Sequence, residues 1–112
     1  MISLPHPVRV FLHTPATDLR KGFDALSGLV TTAFGQDPTS GHLFLFVNRR
    51  RDRIKILYWD RDGLAIWYKR LESGSFQIPP TCTKAASLEM TSTQLALILS
   101  GIDLGSARQR KR

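Results

Sequence analysis

The sequence predicts an α+β protein: a short N-terminal strand, a helix, an antiparallel three- to four-stranded meander and a C-terminal helix. Two observations carry this. The apolar spacing changes from a period near 3.6 to strand-like runs at the turn cluster Asp37-Pro-Thr-Ser-Gly41. A capping box, Thr91-Ser-Thr-Gln94, then opens a second helical stretch.

Arg9-Val-Phe-Leu-His13 reads as the first strand, entered through Pro5 and Pro7 and stopped by Thr14-Pro15. Asp18, a good N-cap residue, predicts a helix from about Leu19 to Ala33. Phe23, Leu26, Val30, Ala33 and Phe34 draw one apolar stripe along it, and Gly35 supplies the stop. Leu43 to Asn48, Ile54 to Asp60 and Leu64 to Arg70 are rich in β-branched and aromatic residues. Their links are short: the five-residue loop Arg49-Arg-Arg-Asp-Arg53 and the turn Arg61-Asp-Gly63, with Gly63 available for a positive φ. A fourth short strand is expected at Phe76 to Ile78, ended by Pro79-Pro80. In the closing helix Leu95, Ile98, Leu99 and Ile102 share a stripe, with Gly101 and Gly105 as candidate ends.

Alternation sorts the two meander strands into faces. Ile54, Ile56 and Tyr58 share a side, opposite Lys55, Leu57 and Trp59; Leu64, Ile66 and Tyr68 oppose Ala65, Trp67 and Lys69. The reading pairs the aliphatic sets on one side, under a helix, and leaves a Lys and Trp side open. That pairing depends on register, since a slip of one residue inverts it.

With 112 residues there is room for one domain, expected over 1–107 with a basic tail at 108–112. The apolar share of 42% and charged share of 22% exclude disorder of the whole chain. The longest apolar runs span five residues, far short of the roughly 18 that a membrane helix needs. Cys82 stands alone, so no internal disulfide is expected, and a soluble cytoplasmic protein is the plain reading.

Charge placement says more than the formal net +7. Residues 49–70 hold eight basic side chains (Arg49, Arg50, Arg51, Arg53, Lys55, Arg61, Lys69 and Arg70) against three acidic ones. The last five residues add four more cations, and the rest of the chain is slightly acidic. Such clustering favours a polyanionic partner, whereas on a short sheet it can also do no more than keep an edge soluble. Trp59 and Trp67, with Tyr58 and Tyr68, lie among these cations and are candidate stacking groups; in strands such rings also serve as core. Arg20 and Lys21 form a second basic site, open to ion pairing with Asp18 or Asp24 or to a partner's anion.

The residues offer little for catalysis. His6, His13 and His42 are scattered without metal-ligand spacing, and no phosphate-cradling glycine loop occurs, so no metal or cofactor is expected. Asp60-Arg-Asp-Gly63 lacks the remaining oxygen ligands of a calcium loop, and Cys82 lacks a nucleophile motif.

Four motifs occur in order: Thr17 to Leu26 (TDLRKGFDAL), Asp37 to Phe44 (DPTSGHLF), Arg51 to Asp60 (RDRIKILYWD) and Tyr68 to Phe76 (YKRLESGSF). Together they resemble TnpB, the small accessory protein family encoded by the second reading frame of bacterial transposable elements of the insertion sequence sixty-six type. The likeness covers roughly residues 8–104. Two departures are Ile78, where relatives commonly carry Trp before Pro, and the Arg-Gln-Arg-Lys-Arg ending. The resemblance implies a non-catalytic role in transposition beside a separate transposase, and it carries over no catalytic residue.

Charge and resemblance together predict a DNA-binding accessory protein acting on element ends. Arg20, Lys21, Arg49, Arg50, Arg51, Arg53, Lys55, Lys69 and Arg70 would contact phosphates, and Trp59 and Trp67 would stack. The alternative is an adaptor that docks on the transposase without touching DNA.

Overall fold

The computed structural model describes residues 8–78 and 87–100. In chain order these form β1 (Val10–His13), α1 (Phe23–Phe34), β2 (Leu43–Val47), β3 (Arg53–Asp60), β4 (Gly63–Arg70), β5 (Ser87–Met90) and α2 (Ser92–Ser100). The fold is α+β, with one five-stranded sheet ordered β4-β3-β2-β1-β5. The strands β2, β3 and β4 form the expected antiparallel meander. β1 pairs with β2 in parallel, so β1, α1 and β2 make a strand-helix-strand crossover that the sequence reading did not foresee.

Hydrophobic pattern follows position in the sheet. β1 is buried throughout, as is β2 after Leu43, and both read as unbroken apolar runs, as strands covered on two faces do. Val10, Leu12, Leu45, Val47, Ile54 and Ile56 point into one cluster with Phe76, Met90, Leu95 and Ile98. Phe11, Phe44, Phe46 and Leu57 point into the other, with Leu19, Leu26, Val30 and Phe34. Each face therefore packs against one helix, α2 on the first and α1 on the second.

Four expectations are corrected. Helix α1 starts at Phe23 instead of Leu19, because the Asp18 carboxylate accepts the Arg20 N–H and Lys21 N–H bonds the Asp18 carbonyl, closing a turn ahead of the helix. Phe23, assigned to the apolar stripe, is 48% exposed as a result of its place at the first turn. Phe76 to Ile78 is not a strand. Phe76 instead donates its N–H to the Arg51 carbonyl and buries its ring in the α2-side core. The remaining strand is β5, antiparallel to β1, where Ser and Glu conceal the β pattern from propensity. Finally, the positive φ at the hairpin belongs to Arg61 (57°), while Gly63 already lies in β4.

Other features agree. Gly35 ends α1 in the left-handed region, with its N–H on the Val30 carbonyl. The capping box forms as expected: the Gln94 N–H donates to Thr91 Oγ1 at 3.1 Å, and the Thr91 N–H donates to Gln94 Oε1 at 2.9 Å. Pro79-Pro80, Cys82, His6, Ile102, the candidate helix ends Gly101 and Gly105, and the basic tail at 108–112 lie outside the described residues.

Candidate nucleic-acid interface

The loop between β2 and β3 is built around Asn48. Its Oδ1 accepts the N–H groups of Asp52 and Arg53 at 3.1 and 3.0 Å, and its Nδ2 donates to the Asp52 carboxylate at 2.7 Å. An amide that follows a strand can bond the backbone in this way and fix a turn. Asn48 also holds the Asp52 carboxyl below the usual aspartate range, with the Arg53 and Arg50 charges contributing less. The effect is to tie down the loop's acidic side chain while its arginines stay exposed.

Beside this loop runs the segment leading into α1. Thr17 is buried and donates its N–H to the Val47 carbonyl at 2.9 Å, which clips the segment to the end of β2. Between loop and segment lies a cleft of about 520 Å³, lined by Ala16 to Arg20, Asn48, Arg49, Arg50, Arg53 and Tyr68. Four arginines thus converge on one concavity from two separate stretches of sequence.

These cations differ in freedom. Among the described residues, no carboxylate lies within 4 Å of Arg49, Arg50, Arg51 or Arg53. The Arg53 guanidinium meets the Tyr68 hydroxyl at 3.5 Å. Arg20 is 91% exposed along its side chain but bonds both oxygens of Asp18, which pushes the Asp18 carboxyl far below its ordinary range. Its ion pairing matches one of the two roles read for it. Lys55 donates to the Lys21 carbonyl at 3.0 Å and sits 4.9 Å from the Tyr68 ring centre, so its ammonium is already engaged. Arg70 stands opposite Arg53 across the hairpin and reaches Glu72 at 3.7 Å.

Three of the named residues face elsewhere. Arg51 adopts a positive φ of 60°, and its side chain borders a smaller cavity of about 110 Å³ with Leu12, His13 and Ile78. Lys69 pairs with Ile54 and Trp67 with Ile56, which places both on the α2 side of the sheet. Trp59 pairs with Leu64 on the α1 side. The same register also corrects the face assignment. Ile54 and Ile56 share a side with Ala65, Trp67 and Lys69, while Leu64, Ile66 and Tyr68 share one with Lys55 and Leu57. Trp59 and Trp67 accordingly lie on opposite faces and do not form one platform.

Asn48, Thr17 and Tyr68 are the site residues that sequence reasoning passed over or underweighted. Asn48 was detectable as an amide between a strand and an arginine run; nothing in the sequence marked Thr17. Among the described residues, no group of three metal-ligating side chains is present, and no helix is long and apolar enough to cross a membrane.

A small α+β protein with an arginine-lined cleft at one end of its sheet is the class that fold and site define. The chain belongs to the family of IS66 Orf2-like proteins, whose pattern it matches over residues 8–109. That family associates it with insertion sequence transposition as an accessory protein. It is 36% identical over 103 residues to the uncharacterized protein y4jC of Sinorhizobium fredii, covering 92% of this chain and 86% of that one. Its identity to the uncharacterized protein y4hO of the same organism is 34% over 103 residues, covering 92% and 88%. No solved structure matches the chain.

Proposed function

We propose that the protein is a non-catalytic, cytoplasmic accessory factor of transposition that binds DNA at element ends and acts with the element-encoded transposase. The observation that carries this reading is the cleft of Arg20, Arg49, Arg50 and Arg53, whose last three members have no acidic partner within 4 Å among the described residues. Unneutralised guanidinium groups held around a concavity repel one another, and an anionic ligand relieves that repulsion. Arg is also suited to phosphate, because its fork donates two parallel hydrogen bonds. Lys55, which lies against Tyr68 and the Lys21 carbonyl, and Arg70, which stands opposite Arg53, supply further positive potential beside it, as does Lys21 next to Arg20. Tyr68 offers a half-exposed ring beside the guanidinium groups, able to stack on a sugar or base.

Phosphate contacts of this kind position a protein on DNA without reading sequence. Choice of element ends then falls to the transposase or to groups beyond the cleft. The test is a mobility-shift titration on element-end and scrambled duplexes across a salt series. Four neutralised phosphates give a slope of log affinity against log salt of about −3 to −4. A flat salt dependence, or affinity unchanged after Arg49, Arg50 and Arg53 are all replaced by Ala, overturns the reading.

A further inference from the structure

The cleft leaves one long feature of the fold unused, the outer edge of β4, which is unpaired among the described residues. It is a sheet edge eight residues long, paired with β3 without a break from Gly63 to Arg70. Natural edges of this length are generally blunted by a proline, a bulge, charged side chains or a covering element, and the charges of β4, Lys69 and Arg70, are confined to its last two positions. β4 contains no proline, its register has no bulge, and no described residue pairs with its outer side. Of the four exposed large apolar side chains among the described residues, two, Trp67 (41%) and Tyr68 (48%), sit on it, one on each face.

Charge is distributed along the strand in a self-complementary way. Asp62, in the turn, directly precedes its first residue, and Lys69 and Arg70 form its last two. An antiparallel copy laid against this edge brings each acidic end to a basic one. Symmetry narrows the register further. The two-fold axis of an antiparallel pair passes between a residue and its own counterpart. Centring on Ile66 sets Trp67 against Ala65, Tyr68 against Leu64 and Arg70 against Asp62 of the other copy.

We propose that two copies of this chain pair through β4, antiparallel and centred on Ile66, to form one continuous ten-stranded sheet. The axis is perpendicular to the sheet, so both α1 helices and both arginine clefts lie on the same face. The two Arg70 positions are separated by about 27 Å along the strands, from a rise of about 3.4 Å per residue. The proposal stands independently of DNA binding.

Sedimentation equilibrium of the full chain tests it, with circular dichroism reporting that each variant is folded. The expected result is a dimer of twice the 12.6 kDa chain mass. Asp62→Arg and Arg70→Asp each raise the dissociation constant about tenfold, because two cross-strand pairs per dimer turn repulsive. The double variant, which exchanges the charges, restores dimerisation. Both sites are exposed, so folding is little affected. A monomer at 100 μM or so, or a dimer indifferent to all three variants, overturns the proposal, as does failure of the double variant to recover.

Discussion

Arg53 and Arg70 stand directly opposite each other across the β3–β4 hairpin, two cations where a cross-strand pair usually gains from unlike charge or apolar contact. Nothing in the core requires this. Both side chains are exposed, and the only carboxylate that reaches either among the described residues is Glu72, at 3.7 Å from Arg70. Like charges in that register lower stability slightly, a cost that an anion bound between them would offset.

Replacing Arg49, Arg50 and Arg53 together by Ala should therefore separate function from stability. Thermal or urea unfolding is expected to change by less than about 0.5 kcal/mol per site, in either direction. DNA affinity should fall, and the salt slope should become shallower by about 2.7. Parallel unfolding and mobility-shift titrations check both.

Asn48 is the opposite case. Asn48→Ala removes two hydrogen bonds to backbone donors and one to Asp52, and is expected to cost about 1–2 kcal/mol in urea unfolding. DNA affinity should fall too, although no charge is lost, because the loop no longer holds Arg49, Arg50 and Arg53 around one cleft.

Acid sensitivity follows from four depressed carboxyls. Arg20 lowers Asp18, Asn48 lowers Asp52 and Arg9 lowers Glu89, each chiefly through a side-chain hydrogen bond, and Thr39 lowers Asp37, chiefly through its backbone N–H. A carboxyl lowered in the folded state contributes stability above its unfolded value, and that contribution is lost as pH falls toward the folded one. Stability is expected to be level above about pH 5 and to decline below the ordinary values of 3.8 for Asp and 4.5 for Glu. The decline should be shallower in Asn48→Ala, as urea midpoints measured from pH 2.5 to 7 or so would show.

Two glycines of one helix should respond with opposite sign. Gly28 is exposed within α1, with nothing within 4 Å of an added Cβ, so Gly28→Ala should stabilise by about 1 kcal/mol. Gly35 has equal space but a φ of 63°, and Gly35→Ala should destabilise by about 1 kcal/mol. Denaturant midpoints of the two variants decide this.

Arg61 occupies the left-handed region at the β3–β4 turn, with a φ of 57°. Arg61→Val should cost about 1–2 kcal/mol, since a β-branched side chain tolerates that conformation least. Arg61→Gly should be neutral or slightly stabilising. Thermal melts of the pair separate backbone strain from loss of the arginine charge, which both variants share.

The sequence by itself determined the two helices, the three meander strands, the capping box and the clustering of cations in residues 49–70. Each of these is written in neighbouring residues: period, cap, turn and composition act over a few positions, and local chemistry is enough to set them. It also carried the family, through four ordered motifs. What it left open was every relationship between distant segments. The parallel seating of β1 beside β2, the addition of β5 at the far edge and the β3–β4 register depend on which surfaces are buried together. That register alone moved Trp67 and Lys69 to the face away from Trp59 and Lys55. Only tertiary structure decided that Arg20 would join Arg49, Arg50 and Arg53 around one cleft. Some thirty residues separate them in the chain, and it is the bond from Thr17 to Val47 that closes the distance.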